Sequence, residues 1–163
     1  MRKARSDKLT HIAPYIMSSE RELVQRLSRH VGDFEGNLAR GLIEEALNCE
    51  SAVQFFRVYF IRPYEITPDR IIWMEKRPLD INDYLVQSEP RTRLKIKATK
   101  QMTAQLTNFQ IALGTLYLAH ATYALLRFAL TTDHIIPIIA PGFKEKIRTM
   151  PRKQIDAWSV IGR

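Results

Sequence analysis

The hydrophobic pattern of this chain changes period once, between Arg91 and Leu130. From Arg91 to Ala98 polar and apolar residues alternate, so that Arg91, Arg93, Lys95 and Lys97 share one face and Leu94, Ile96 and Ala98 the other. That predicts a β-ribbon with a cationic outer face. The period then lengthens. Thr99 or Thr103 can cap a helix with Met102, Leu106, Phe109 and Leu113 along one side, Gly114-Thr115 marks a break, and Thr115 can cap a second helix. In that second helix, Leu116 to Leu130, only His120, Thr122 and Arg127 are strongly polar. A helix apolar nearly all round must be buried on most sides. In so small a chain a second subunit is the simplest source of that burial, so a homodimer is expected, with Leu94, Ile96, Leu118, Leu125 and Leu126 at its interface.

Upstream, residues 1–17 form a basic arm of little periodicity that ends in Ile12, Tyr15, Ile16 and Met17. Ser18 or Ser19 offers an N-cap, and Ser19 with Glu22 has the spacing of a capping box. The helix that follows places Leu23, Val24, Leu27 and Val31 on one side and stops at Gly32-Asp33. A second helical pattern runs from Phe34 through Leu38, Leu42, Ile43, Ala46 and Leu47 to Val53 and Phe56, and Arg62-Pro63 closes it. Prolines at 63, 68, 78 and 90 then punctuate a connector in which Ile71–Met74 reads as a short strand or helical turn, and Asp80 caps a short helix. Pro137 and Pro141-Gly142 break up the stretch after Asp133. From Lys144 to Lys153 the tail carries Lys144, Lys146, Arg148, Arg152 and Lys153 against one acid, Glu145. Three regions result: 1–62 (basic arm and N-terminal helices), 63–90 (connector) and 91–163 (ribbon, helices and basic tail).

Charge sharpens this picture. Lys+Arg 25 against Asp+Glu 17 gives a net charge of +8 and a pI near 9.8, which favours a polyanionic partner, nucleic acid first among them. At 163 residues the chain suits one domain or a small core with a helical arm. The single cysteine, Cys49, excludes an internal disulfide framework and a cysteine-based zinc site, fits a reducing compartment, and reads as a packed thiol on a helix. The basic N-terminus leads into no signal-peptide core. Ile111 to Leu130 approaches membrane-span length, but Arg127 is costly in lipid, so no membrane partner is expected and the setting reads as cytoplasmic.

Catalytic chemistry finds little support. The histidines at 11, 30, 120 and 134 lack metal-ligand spacing, and His120, on an apolar helix, reads as a core or interface histidine. Glu44-Glu45 looks like a solvated helix face, and Gly32, Gly36 and Gly41 lack the Lys-Ser/Thr ending of a phosphate loop. No enzyme, cofactor or metal is expected. The basic ribbon therefore carries the functional reading. Its plainer explanation is an edge strand whose charges block aggregation. The concentration of Arg91, Arg93, Lys95, Lys97 and Lys100 favours instead a ribbon that enters the DNA major groove, as two-subunit ribbons do. The helix start after Gly114 can present backbone N–H groups to a phosphate. Lys144, Lys146, Arg148 and Arg152 are candidate phosphate contacts.

The segment Ala112 to His134 resembles the C-terminal half of the AcaB-like transcriptional regulators of conjugative plasmids and integrative conjugative elements. The similarity lies in Gly114 before the helix, Leu125-Leu126-Arg127, and Leu130-Thr131 followed by His134, with Glu44-Glu45-Ala46-Leu47 at a compatible distance upstream. The resemblance implies a ribbon-helix-helix fold and activation of transfer genes. Phe128 to Trp158 is more weakly similar to the FlhD-like activators. Together these lead to an expected fold that is mainly α with a short β-ribbon, a ribbon-helix-helix-like dimeric core plus an N-terminal helical arm. The expected function is a sequence-specific transcriptional regulator, an activator of conjugative-transfer genes. Its partners are double-stranded DNA, a second copy of itself, and RNA polymerase or another regulator. The alternative is an adaptor or structural protein of a conjugation or secretion apparatus that binds another protein through its apolar helix.

Overall fold

A computed structural model describes residues 9–144. In chain order the elements are β1 (Thr10–Ile12), β2 (Tyr15–Met17), α1 (Ser18–Val31), α2 (Glu35–Leu47) and α3 (Glu50–Phe56), then a 3-10 turn (Arg57–Tyr59). There follow β3 (Tyr64–Thr67), β4 (Arg70–Ile72), α4 (Ile81–Tyr84), β5 (Arg91–Arg93), β6 (Ile96–Ala98), α5 (Lys100–Leu113), α6 (Leu118–Thr131) and α7 (Ile136–Ile139). The architecture is thus mixed and more than half helical, with small two-stranded antiparallel sheets and more helices than the sequence pattern predicts.

The core is built around α6. Its alanines 121, 124 and 129 let neighbouring helices approach closely, and Leu125, Leu126, Phe128 and Leu130 fill the spaces beside them. α2 packs along it through Leu38, Leu42, Ile43 and Ala46, α5 through Leu106, Phe109 and Leu113, and α1 touches it as well. The buried Thr122 hydroxyl donates to Leu118 O at 2.8 Å, so the polar group inside the core is satisfied. An aromatic cluster closes one end, with Phe56 5.1 Å from Phe109 and 5.6 Å from Phe128 between ring centroids. This corrects the argument for a second subunit. Leu94, Ile96, Leu125 and Leu126 are buried inside a single chain and Leu118 is half-buried. The chain buries α6 by itself because α2 and α5 each turn an apolar face to it.

The N-terminal arm is also corrected. Residues 10–17 are not a loose basic arm but the second strand of the ribbon. β1 runs antiparallel to β6 (Thr10↔Ala98, His11↔Lys97, Ile12↔Ile96), and β2 runs antiparallel to β5 (Tyr15↔Arg93, Ile16↔Thr92, Met17↔Arg91). Between them Pro14 has no N–H to give the ladder, so the ladder is interrupted there. Its carbonyl still accepts from Leu94 N at 3.1 Å across the gap. The ribbon is complete within one chain, unlike the two-subunit ribbon expected.

Several local expectations shift by physical causes that are easy to name. α1 starts two residues earlier than a Ser19 cap allows. Met17 is the N-cap, its N–H donates to Glu20 Oε1 at 2.9 Å, and Ser18 and Ser19 bond the Glu89 carboxylate instead. The second helical pattern breaks at Asn48–Cys49 into α2 and α3. Thr99 is the cap of α5, accepting from Met102 N at 3.2 Å, whereas Thr115 does not cap α6 and donates to Tyr117 O. The connector holds a hairpin, β3–β4, around a Pro68-Asp69 turn, and Asp80 caps α4 as expected. Among the described residues no single helix is long and apolar enough to cross a membrane, and α5 and α6 meet at 94°.

That corner depends on Gly114, whose φ of 72° lies in the left-handed region. A Cβ there would stand 2.1 Å from Ile61 Cδ1, whereas one on Gly32, also left-handed at φ 79°, would meet nothing within 4 Å. Gly32→Ala should therefore cost about 1 kcal/mol of backbone strain alone, and Gly114→Ala roughly 2–3 kcal/mol because packing at Ile61 is disturbed as well. Denaturant unfolding of the two variants checks the order. Equal losses would contradict the packing account of the corner.

Candidate nucleic-acid interface

Alternation along 91–98 is carried through into burial. Arg91, Arg93, Lys95 and Lys97 are exposed, while Leu94, Ile96 and Ala98 are buried against the core. Lys100, on the first turn of α5, is exposed too. The partner strand adds to the outer face by register, since directly opposed residues share a face. His11 stands opposite Lys97 and Tyr15 opposite Arg93. The Arg93 guanidinium lies 4.8 Å from the Tyr15 ring centroid and that of Arg91 5.8 Å, so both cations are stacked on one aromatic ring. Among the described residues none of Arg91, Arg93, Lys95, Lys97 and Lys100 forms an ion pair. Glu89, the nearest acid in sequence, is occupied. Its carboxyl is held below the ordinary carboxylate range by the Ser19 hydroxyl, with Ser18 adding to the effect. The expected DNA-reading residues thus form one exposed row. Of the expected phosphate contacts, Lys144 is exposed, and Lys146, Arg148 and Arg152 lie outside the described residues.

The helices beneath hold this row in place. Arg21 of α1 donates to Arg93 O at 2.5 Å and to Thr92 Oγ1 at 3.1 Å, and is itself oriented by Glu35 at 3.0 Å. Arg40 of α2 donates to Lys97 O at 3.2 Å. Between these two anchors the N-terminal turn of α2 lies close against the ribbon, where a Cβ on Gly36 would stand 2.6 Å from Lys95 O. Guanidiniums spent on backbone carbonyls leave the ribbon's own cations free for a partner.

Where the ribbon meets the start of α6 the surface folds into a cleft of about 750 Å³. Arg91, Arg93 and Tyr15 line it from the ribbon, and Tyr117, His120 and Tyr123 from α6. His120 is therefore not a core histidine. It is exposed, and its ring meets that of Tyr117 edge-on at 5.3 Å. Behind the cleft, Arg127 and Glu20 form an ion pair at 3.1 Å with both side chains about one-tenth exposed. Tyr123 donates its hydroxyl to Glu20 at 2.6 Å, and Arg127 also donates to Tyr84 O and, at 3.0 Å, to Val86 O. Burial, reinforced by the Glu20 carboxylate, pushes the Tyr123 phenol well above its usual range, so it remains a donor.

A second cluster escaped sequence spacing because its members are far apart in the chain. Cys49 Sγ lies 2.8 Å from Ser51 Oγ and 3.2 Å from His134 Nε2, and the last two are 3.0 Å apart. Burial pushes the thiol up, but the hydrogen bonds from His134 and Ser51 outweigh it and bring Cys49 down to about 7. The half-buried thiol packs against the core, as expected, and its hydrogen bonds favour the thiolate form. Its alkylation rate by iodoacetamide should rise through a midpoint near pH 7, because the thiolate is the nucleophile. His134→Ala removes the largest lowering contribution and should move that midpoint up, towards roughly 8.5. An unchanged pH profile in that variant would contradict the assignment.

Comparison of the chain with protein-family models, with curated proteins and with solved structures gives no match, so the similarity to the AcaB-like regulators rests on the residues between Ala112 and His134 alone.

Proposed function

We propose that this protein binds double-stranded DNA by laying the outer face of its single-chain ribbon in the major groove. The observation that carries the reading is the row Arg91, Arg93, Lys95 and Lys97, every member exposed and without an ion-pair partner among the described residues. Edge-strand protection explains charge on β5 and β6, which are paired on one side only and keep a free edge. It offers no reason for a cross-strand histidine and an arginine-stacked tyrosine on the same face. A two-stranded ribbon matches the major groove in width, and its outward side chains reach base edges, Arg in bidentate fashion to guanine and Lys to the same acceptors or to phosphate. Arg93, Lys95 and Lys97 are assigned to base reading, and Arg91 and Lys100 to the flanks. The resemblance over Ala112–His134 directs this activity towards regulation of conjugative-transfer genes. A ribbon completed by the chain's own N-terminal strand would here replace the two-subunit ribbon of ribbon-helix-helix proteins.

The adaptor reading needed the apolar helix as a docking face. α6 is buried within its own chain, which leaves that reading without its surface.

Arg93→Ala combined with Lys95→Ala should abolish specific duplex binding, with each missing base interaction costing about 1–3 kcal/mol, and leave thermal stability unchanged because both side chains are exposed. Affinity of the unaltered protein should fall steeply with salt, each neutralised phosphate adding about 0.9 to the logarithmic slope. Mobility-shift titrations at several salt concentrations read both effects, with the preferred duplex taken from selection on a random library. Unchanged affinity in the double variant would overturn the ribbon assignment.

A further inference from the structure

The cleft beside the ribbon has the chemistry of a nucleotide site. Arg91 and Arg93 stand two residues apart on β5, both facing outward, and both guanidiniums rest on the Tyr15 ring. Neither arginine forms an ion pair among the described residues, and Glu20 and Glu89, which follow β2 and precede β5 in the chain, are spent on Arg127 and Tyr123 and on Ser18 and Ser19. The charge on the guanidiniums is therefore not neutralised locally, and guanidinium groups suit the planar, multidentate recognition of a phosphate. On the other side of the cleft α6 begins without a side-chain cap. The cleft is lined there by Ala119 and His120, residues of the first turn, so the positive end of a helix faces the same space as the arginines. The aromatic part of the site is equally open. Tyr117 is 63% exposed and meets the His120 ring at nearly a right angle, which leaves ring surface available for stacking. Asn82 supplies an amide to the lining.

A volume of about 750 Å³ falls within the range of small-ligand sites and is far too small for a duplex. We propose that the cleft holds one unpaired nucleotide, its phosphate on Arg91 and Arg93 and its base against Tyr117 and His120. This deepens the DNA-binding reading, on which it rests for the choice of a nucleotide over other aromatic anions. The chemistry is the same whether the nucleotide is free or is an unpaired unit of a bound strand, and the geometry of the cleft, open beside the ribbon, admits either.

The test uses the full chain. Calorimetric titrations compare dAMP with inorganic phosphate and with deoxyadenosine, and fluorescence anisotropy compares a fully paired duplex with the same duplex carrying one extrahelical deoxyadenosine. Stacking of one base should contribute roughly tenfold. Tighter binding of dAMP than of either fragment, by about that factor, identifies a free nucleotide as the occupant. A gain of that size only for the extrahelical duplex identifies an unpaired unit of the strand. In either case Tyr117→Ala and Arg91→Ala should each remove most of the gain without lowering the thermal midpoint. If phosphate binds as well as dAMP and the extrahelical base adds nothing, or if the gain survives both substitutions, the proposal is overturned. Lys97→Ala separates this failure from failure of the ribbon reading, because Lys97 lies on the ribbon and does not line the cleft. Loss of paired-duplex binding in Lys97→Ala, with no dAMP or extrahelical gain in the unaltered protein, sinks the cleft alone. Nucleotide binding that persists where no paired-duplex affinity exists sinks the ribbon alone.

Discussion

Everything on the functional face depends on the antiparallel pairing of residues 10–17 with residues 91–98. Those segments are far apart in sequence, and each is too short to persist without the other, since an isolated two-stranded ribbon is marginal in water. The core makes the pairing possible. Ile12, Ile16, Leu94, Ile96 and Ala98 are all buried on one side of the ribbon, so register is set by which residues must face inward. A slip by one residue would bury the cations and expose the isoleucines. Pro14 divides the ribbon without ending it, because the chain on either side keeps the same inward and outward assignment.

The buried Glu20–Arg127 pair locks the second strand to the helical core. Glu20 sits in the first turn of α1, directly after β2, and takes donors from Met17 N, Tyr123 and Arg127 together. Arg127 spends its remaining donors on carbonyls at Tyr84 and Val86, so one residue joins α6, α1 and the connector that leads into β5. Such a pair adds little net stability over an apolar replacement, but loss of one partner leaves a buried charge at a cost on the order of 3–5 kcal/mol. It acts as a positional device. The arginine that marks Ile111–Leu130 as a poor membrane span is the same one that ties both strands of the ribbon, at their Met17–Arg91 end, to α6.

How much of this can be read from residues alone follows from which signals are local. The alternation of Arg91–Ala98 is local, and its exposed and buried faces are as the pattern predicts. Gly32 and Gly114 end helices because no other residue takes positive φ there without strain, and Thr99 and Asp80 cap because their side chains reach N–H groups two or three residues on. Three-residue strands split by a proline have no period to detect, so Thr10–Met17 looks like an arm. The extent of α6 burial is likewise non-local, because chain length does not reveal how closely alanine-rich α6 and α2 can pack. His120 is ambiguous in sequence because a single polar position on an apolar helix does not say which side it faces. Both the cleft and the Cys49–Ser51–His134 cluster gather residues from distant elements, with no spacing rule that connects them.

The charge of +8 is thus not spread evenly in its consequences. Arg21, Arg40 and Arg127 are consumed in holding the fold, while the ribbon's cations have no acid to answer them among the described residues. A surface organised in that way supports the proposed binding of DNA on the ribbon. The most direct measurement is the change in backbone amide NMR shifts when a duplex is titrated into the isotopically labelled protein. If DNA binds there, shifts will be concentrated in residues 10–17 and 91–100, with the β3–β4 hairpin unaffected. Shifts centred on the hairpin or on α3, with the ribbon silent, would contradict it.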